Sequence, residues 1–320
     1  MIHLRRSLRV ATTALALTGL LLGAPGLLPV AARAAHAQTE APAPLSPRES
    51  AGLRPRESTI ETARGVGMGM GVRAGVTGTS ALAYNPANLP LARMYRVALL
   101  TNYVPSQKTT SIGVAIADSI TSKLGASTSF RYVIGNEDRA YDGFDWRLAL
   151  GLPLTPKFGL GLGVRYLRLN ADKNDQDQPL GPHARGITLD AAARVTLFEG
   201  LNLAFLAYNL IDLDSPLAPI EIGGSASYAV SSVGLELGVD VLVDMTTFKN
   251  PQPLIGAGVQ YIAGDHVPLR FGYRRDKGRD LSEVSASIGY IERSYSVALA
   301  VRQELHHDTV LQLDLRYHVR

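Results

Sequence analysis

From about Val97 to the end of the chain, apolar and polar residues alternate at every second position. Trp146, Leu148, Leu150 and Leu152 fall on one face, and Asp145, Arg147, Ala149 and Gly151 on the other. Val233, Leu235, Leu237, Val239, Val241 and Val243 oppose Gly234, Glu236, Gly238, Asp240, Leu242 and Asp244. Val267, Leu269, Phe271 and Tyr273 oppose Pro268, Arg270, Gly272 and Arg274; Leu311, Leu313, Leu315, Tyr317 and Val319 oppose Gln312, Asp314, Arg316, His318 and Arg320. A helix would scatter these charges around its circumference, whereas a strand gathers them on one side. The spacing predicts fourteen strands, at 96–104, 110–118, 124–135, 144–154, 158–169, 186–198, 201–211, 220–231, 232–245, 253–263, 267–275, 283–292, 295–304 and 309–319. Most have about ten residues, the length a tilted strand needs to cross a bilayer.

The composition of the second face separates a membrane barrel from a soluble sandwich. A sandwich buries one face against a second sheet and presents the other to water, where Lys, Glu and Thr are expected. Here that face is largely Gly, Ala and Ser with scattered Arg, Asp and Glu, which suits a narrow hydrated lumen. Tyr103, Tyr132, Trp146, Tyr166, Tyr261, Tyr273, Tyr290, Tyr295 and Tyr317 lie toward strand ends, as interfacial girdles do. Past the first residues, no segment has the roughly 18 consecutive apolar residues of a membrane helix. A membrane-spanning chain of this kind must therefore be a closed barrel, since lipid cannot satisfy open strand edges. The fold class expected is all-β: a transmembrane antiparallel barrel of about fourteen strands, with a small N-terminal plug. The polar connection Ala171 to Arg185 is the expected extracellular loop, and Glu199-Gly200 and Arg293-Ser294 the expected periplasmic turns.

The N-terminus reads differently. Arg5, Arg6 and Arg9 precede the apolar stretch Val10 to Leu22, and Ala35-His36-Ala37 offers a small-residue cleavage site, so residues 1–37 are expected to be an export signal. The alternative, a retained anchor, fits less well with the interruptions at Gly23, Pro25, Gly26 and Pro29. Residues 38–58, rich in Pro, Glu, Ser, Ala and Arg, read as a flexible leader; 59–95, rich in Gly and Ala, form a separate unit before the barrel at 96–320. Residues 1–37 hold Arg5, Arg6, Arg9 and Arg33 and no acid. Taking these four from the 32 basic residues leaves as many as the 28 acidic ones, a balance that argues against nucleic-acid binding. The absence of cysteine excludes disulfides, thiolate catalysis and Cys-type zinc sites.

Residues 63–90 read Ala-Arg-Gly-Val-Gly-Met-Gly-Met-Gly-Val-Arg-Ala-Gly-Val-Thr-Gly-Thr-Ser-Ala-Leu-Ala-Tyr-Asn-Pro-Ala-Asn-Leu-Pro. This resembles the N-terminal signature of the FadL-type outer-membrane transporters and the related PorV/PorQ-type proteins, in which a Gly-Met-Gly-rich stretch precedes a Ser-Ala-x-x-x-Asn-Pro-Ala segment and a fourteen-stranded barrel. The matching residues are Gly67, Met68 and Gly69, then Ser80 and Ala81, then Asn85, Pro86 and Ala87. The pattern departs from the family at Thr77-Gly78-Thr79, Asn88 and Arg320. The resemblance implies a hatch in the barrel mouth, a Gram-negative outer-membrane location and passive passage of hydrophobic small molecules without a cofactor. For PorV-like relatives it implies instead a partner role in secretion or surface assembly.

Several motifs carry two readings. The alternating glycines of Gly65 to Gly71 imitate a phosphate loop, but no βαβ context surrounds them; close backbone packing explains Gly67 and Gly69 better. Asn85-Pro86 is either a hatch anchor to the barrel wall or plain turn chemistry. Glu236, Asp240, Asp244, Arg270, Arg274, Arg302, Asp314 and Arg316 are expected to face the lumen. There they either steer a ligand or neutralise one another and fasten the plug, the reading favoured by the desolvation cost of unpaired charge. His306-His307 fits a solvated turn better than a metal site, since adjacent strand residues point to opposite sides. No catalytic triad can be assembled, and enzymatic activity is not expected.

Overall fold

The computed structural model describes residues 61–105, 109–135, 141–171, 183–305 and 308–319. The export signal, the leader, His306-His307 and most of the Ala171–Arg185 connection lie outside the described residues. Fourteen antiparallel strands form a closed barrel. They are β1 (Tyr95–Val104), β2 (Thr109–Asp118), β3 (Gly125–Ile134), β4 (Tyr141–Pro153), β5 (Phe158–Ala171), β6 (Ala184–Phe198), β7 (Leu201–Tyr208), β8 (Glu221–Val230), β9 (Leu235–Asp244), β10 (Gln252–Ala263), β11 (Val267–Asp276), β12 (Leu281–Ile291), β13 (Tyr295–Glu304) and β14 (Thr309–Val319). Each strand pairs with its neighbours in sequence. β1 closes the cylinder on β14 in unbroken register from Tyr95 opposite Val319 to Tyr103 opposite Leu311. The first and last strands are thus paired, and a two-sheet sandwich is excluded.

The number and placement of strands follow the alternation closely, with one instructive difference. The sequence reading runs two strands together at 231–232, but Ser231–Val233 is a 3-10 turn closed by Gly234 at φ +65°. Val233 lies in phase with Leu235, so the apolar period continues through a turn that the backbone makes with a left-handed glycine.

The outer surface is aliphatic and aromatic. Leu148, Leu162, Ile187, Phe205, Phe271, Ile288, Leu299 and Leu313 all stand exposed there. Such a belt is stable against acyl chains and would be a large liability in water. Connections leaving even-numbered strands run from two residues, 199–200, to six, 119–124; the opposite rim carries longer ones, such as 209–220. Tyr261, Tyr290, Tyr295 and Tyr317 ring the short-turn rim, and Tyr103, Tyr132 and Tyr273 the other. Leu299→Arg, near the middle of β13 on the lipid face, is expected to destabilise the barrel by about 2–4 kcal/mol. Urea unfolding in lipid vesicles measures this; an unchanged midpoint would show that this surface does not face hydrocarbon.

Candidate functional site

Residues 61–94 belong to one compact unit with the barrel. They make two short helices, α1 (Ala63–Gly67) and α2 (Thr79–Tyr84), and a 3-10 turn over Pro86–Leu91. Thr62 caps α1, its hydroxyl accepting from the Gly65 amide. Asn85 caps the 3-10 turn by accepting from the Ala87 amide at 3.1 Å. This segment lies against the inner face of the wall, where the barrel supplies two patches without side chains. A Cβ on Gly238 would lie 2.0 Å from the Gly71 carbonyl oxygen, one on Gly258 2.3 Å from the Met68 carbonyl oxygen, and one on Gly272 2.1 Å from the Gly69 nitrogen. Strands β9, β10 and β11 are bare just where the Gly-Met-Gly backbone touches them. Gly69 and Met70 take positive φ, 56° and 70°, to follow that surface. On the other side, a Cβ on Gly161 would lie 2.2 Å from the Ala87 nitrogen, and one on Gly151 2.5 Å from the Pro86 carbonyl oxygen.

Charge fixes the segment laterally. Arg73 donates to Asp240 at 2.7 Å and to the Tyr208 hydroxyl at 3.0 Å, with its guanidinium over the Tyr84 and Tyr208 rings. The backbone amides of Val72 and Arg73 also donate to Asp240, and Ser225 donates to it as well. Burial disfavours the charge on Arg73, but the Asp240 carboxylate beside it favours the charge, and the guanidinium stays protonated. Burial pushes the Tyr84 phenol up to about 12, so it stays neutral at ordinary pH. Glu61 accepts from Arg302 at 2.8 Å, and Arg302 and Arg274 both pair with Glu283.

The eight lumen-facing residues expected from the sequence all lie on inward-facing strand positions. Six of them touch residues 61–94: Glu236 meets Arg64 at 2.6 Å, Asp240 meets Arg73, Asp314 accepts from the Ala63 amide, Arg302 and Arg274 meet Glu61, and Arg316 donates to Ser80. Arg270 and Asp244 direct their polar contacts elsewhere. Arg270 donates to Gln260 and Ser287 on the wall, and Asp244 meets Arg279 of the β11–β12 connection at 3.4 Å. Gly67 packs beneath Ser287 and Arg270, and Met68 is fully buried. Ser80, Pro86 and Ala87 are buried, the last two over the Gly151 and Gly161 positions. The Asn85 side chain donates to the Arg73 carbonyl oxygen at 2.8 Å, so its contacts fold the segment on itself and do not reach the wall. Asn88, one of the departures from the family pattern, donates to the Arg73 and Ala74 carbonyl oxygens and reinforces the same fold.

Glu61, Arg64, Arg73, Tyr208 and Ser225 carry much of this site without standing out in the sequence. Arg73 is the one residue with a visible signal: a single charge in the run Gly71 to Gly78. A second buried cluster braces the wall alone, with Asp145 accepting from Arg165 at 2.9 Å and Arg147 at 3.3 Å, and Asp190 accepting from the Asn209 amide. Toward the long-connection rim the inner wall turns apolar: Val133, Leu167, Leu169 and Ala184 pack beneath Leu217 and Ala218 of the β7–β8 connection. No group of His, Asp and Glu able to hold a metal occurs among the described residues.

No protein-family model matches the sequence, and neither does any curated protein. Among solved structures, the barrel is similar to the toluene transporter TbuX of Ralstonia pickettii, with a TM-score of 0.57 at 12% identity over 81% of this chain and 98% of that one. It is similar to the monoaromatic hydrocarbon channel CymD, TM-score 0.57 at 11% identity over 80% and 96%. It also matches a Pseudomonas aeruginosa FadL homologue, TM-score 0.52 at 11% identity over 81% and 99%. These likenesses establish a shared fold.

Proposed function

We propose that this chain is an outer-membrane channel for hydrophobic small molecules, and that residues 61–94 are its hatch. The observation that carries the reading is how the segment is held. It contributes no strand to the wall and, apart from a backbone bond from Ser119 to Met94 where it joins β1, is fastened through side chains whose contacts can be made and broken without opening a ladder. The segment is therefore removable while the barrel stays closed. The solved structures of this fold named for toluene and monoaromatic hydrocarbons support a passenger of that class. No reacting group or cofactor is required. The short-turn rim faces the periplasm and the long connections face outside, as in other outer-membrane barrels; residues 1–37 direct export.

The test is uptake of radiolabelled toluene into vesicles holding the purified protein, against vesicles holding the heat-unfolded chain. Faster equilibration with the folded barrel is expected. A barrel that stays impermeable, while a large protein partner co-purifies with it from the native membrane, would replace passage with the secretion-partner role.

A further inference from the structure

Near the short-turn rim the inner wall gathers more positive charge than it neutralises. Arg96 on β1 and His318 on β14 are directly opposite in register, and Arg316 lies two residues along β14 on the same inward face. Arg64 and Arg270 complete the group. Its two carboxylates are already engaged, Glu236 by Arg64 at 2.6 Å and Asp314 by Arg316 at 2.6 Å. Arg270 donates only to neutral partners, Gln260 at 2.7 Å and Ser287 at 3.1 Å. Arg96 has a neutral partner too: its Nε donates to His318 Nδ1 at 2.8 Å. That bond fixes the imidazole. Because Nδ1 accepts, the ring proton sits on Nε2, which becomes a donor. His318 Nε2 is buried and meets no acceptor among the described residues; the same holds for Arg316 Nε and Arg64 Nε. Buried donors without acceptors are rare, and excess buried charge is costly unless something neutralises it. Arg96, Arg316 and His318 each keep part of their surface exposed.

We propose that Arg96, His318 and Arg316 form an oxyanion site inside the short-turn rim, taking a carboxylate or phosphate group whose oxygens receive the unused N–H donors. Arg64 and Arg270 stand behind it and set the sign of the local field. The site is independent of the passage reading: it would exist in a barrel that passes nothing, and a hydrocarbon channel could lack it.

Calorimetric titration of the full-length, detergent-purified protein tests it with three probes: benzoate, its neutral relative benzyl alcohol, and inorganic phosphate. Saturable binding of benzoate without benzyl alcohol supports the site and identifies an organic carboxylate as the ligand; binding of phosphate alone supports it with free phosphate as the source. Arg96→Gln is expected to weaken the bound anion by about tenfold or more, the loss of a charge-assisted hydrogen bond. His318→Phe removes one donor without adding charge and is expected to weaken it by a smaller factor, while His318→Gln, which keeps an N–H, restores part of the loss. If neither anion binds, or if binding is unaltered in both Arg96→Gln and His318→Phe, the proposal is wrong.

Discussion

Gly258→Leu is expected to expel the Met68–Gly71 stretch from the wall while the barrel remains closed. The new side chain would occupy the space of the Met68 backbone, which no rotamer can avoid: the first side-chain atom alone would stand 2.3 Å from the Met68 carbonyl oxygen. Overpacking a fitted contact typically costs about 1–3 kcal/mol, and here the whole cost falls on the docked segment. The strand itself should not weaken, since glycine inside a strand packs poorly and a larger residue fits a pleated surface better. The expected result is a split. Protease begins to cut within 61–94 and single-channel conductance rises, while the urea midpoint of the barrel is unchanged or higher. Unchanged conductance together with unchanged resistance to protease would show that the segment is not held by this glycine surface.

Asp240→Ala is expected to loosen the segment more severely. Asp240 is acceptor to the Arg73 guanidinium, to the Val72 and Arg73 amides and to the Ser225 hydroxyl, all buried. Removing it strands a buried cation, and breaking a buried pair costs about 3–5 kcal/mol. Replacing Arg73 as well, by leucine, removes the stranded charge and should recover part of that loss, though the two amides remain without their acceptor. Hydrogen exchange of residues 61–94 distinguishes these outcomes. Fast exchange in Asp240→Ala and partial protection in the double variant are expected; equal protection in wild type and Asp240→Ala would contradict the anchoring role given to this carboxylate.

The barrel was legible because each strand repeats one signal, and that signal has a single physical source. Residues alternating between lipid and lumen must alternate in chemistry, so Leu311 to Val319 could be divided into faces with no knowledge of any partner. The signal failed where a turn happened to keep the period, at Ser231–Val233. The charges at the site were visible as inward positions, but their pairings were not. Arg73 and Asp240 are 167 positions apart, and residues 61–94 have no period that fixes where each side chain points. Asn85 illustrates the same gap. Its turn chemistry followed from Asn-Pro, but its second contact depends on the loop folding back to Arg73, which nothing local specifies.

The tether between Ala63 and Asp314 spans 251 positions, and the glycine surface under Met68 belongs to β9, β10 and β11. An element near the start of the chain thus has its seat on strands made late. It cannot settle while synthesis or membrane insertion is half done, because the seat does not yet exist; distant partners of this kind slow assembly. Nor can it wait outside, since β1, to which it is directly joined, is the strand that seals against β14. The cylinder must shut around its own leading residues, and a chain stalled before β9 would leave them without the surface they rest on.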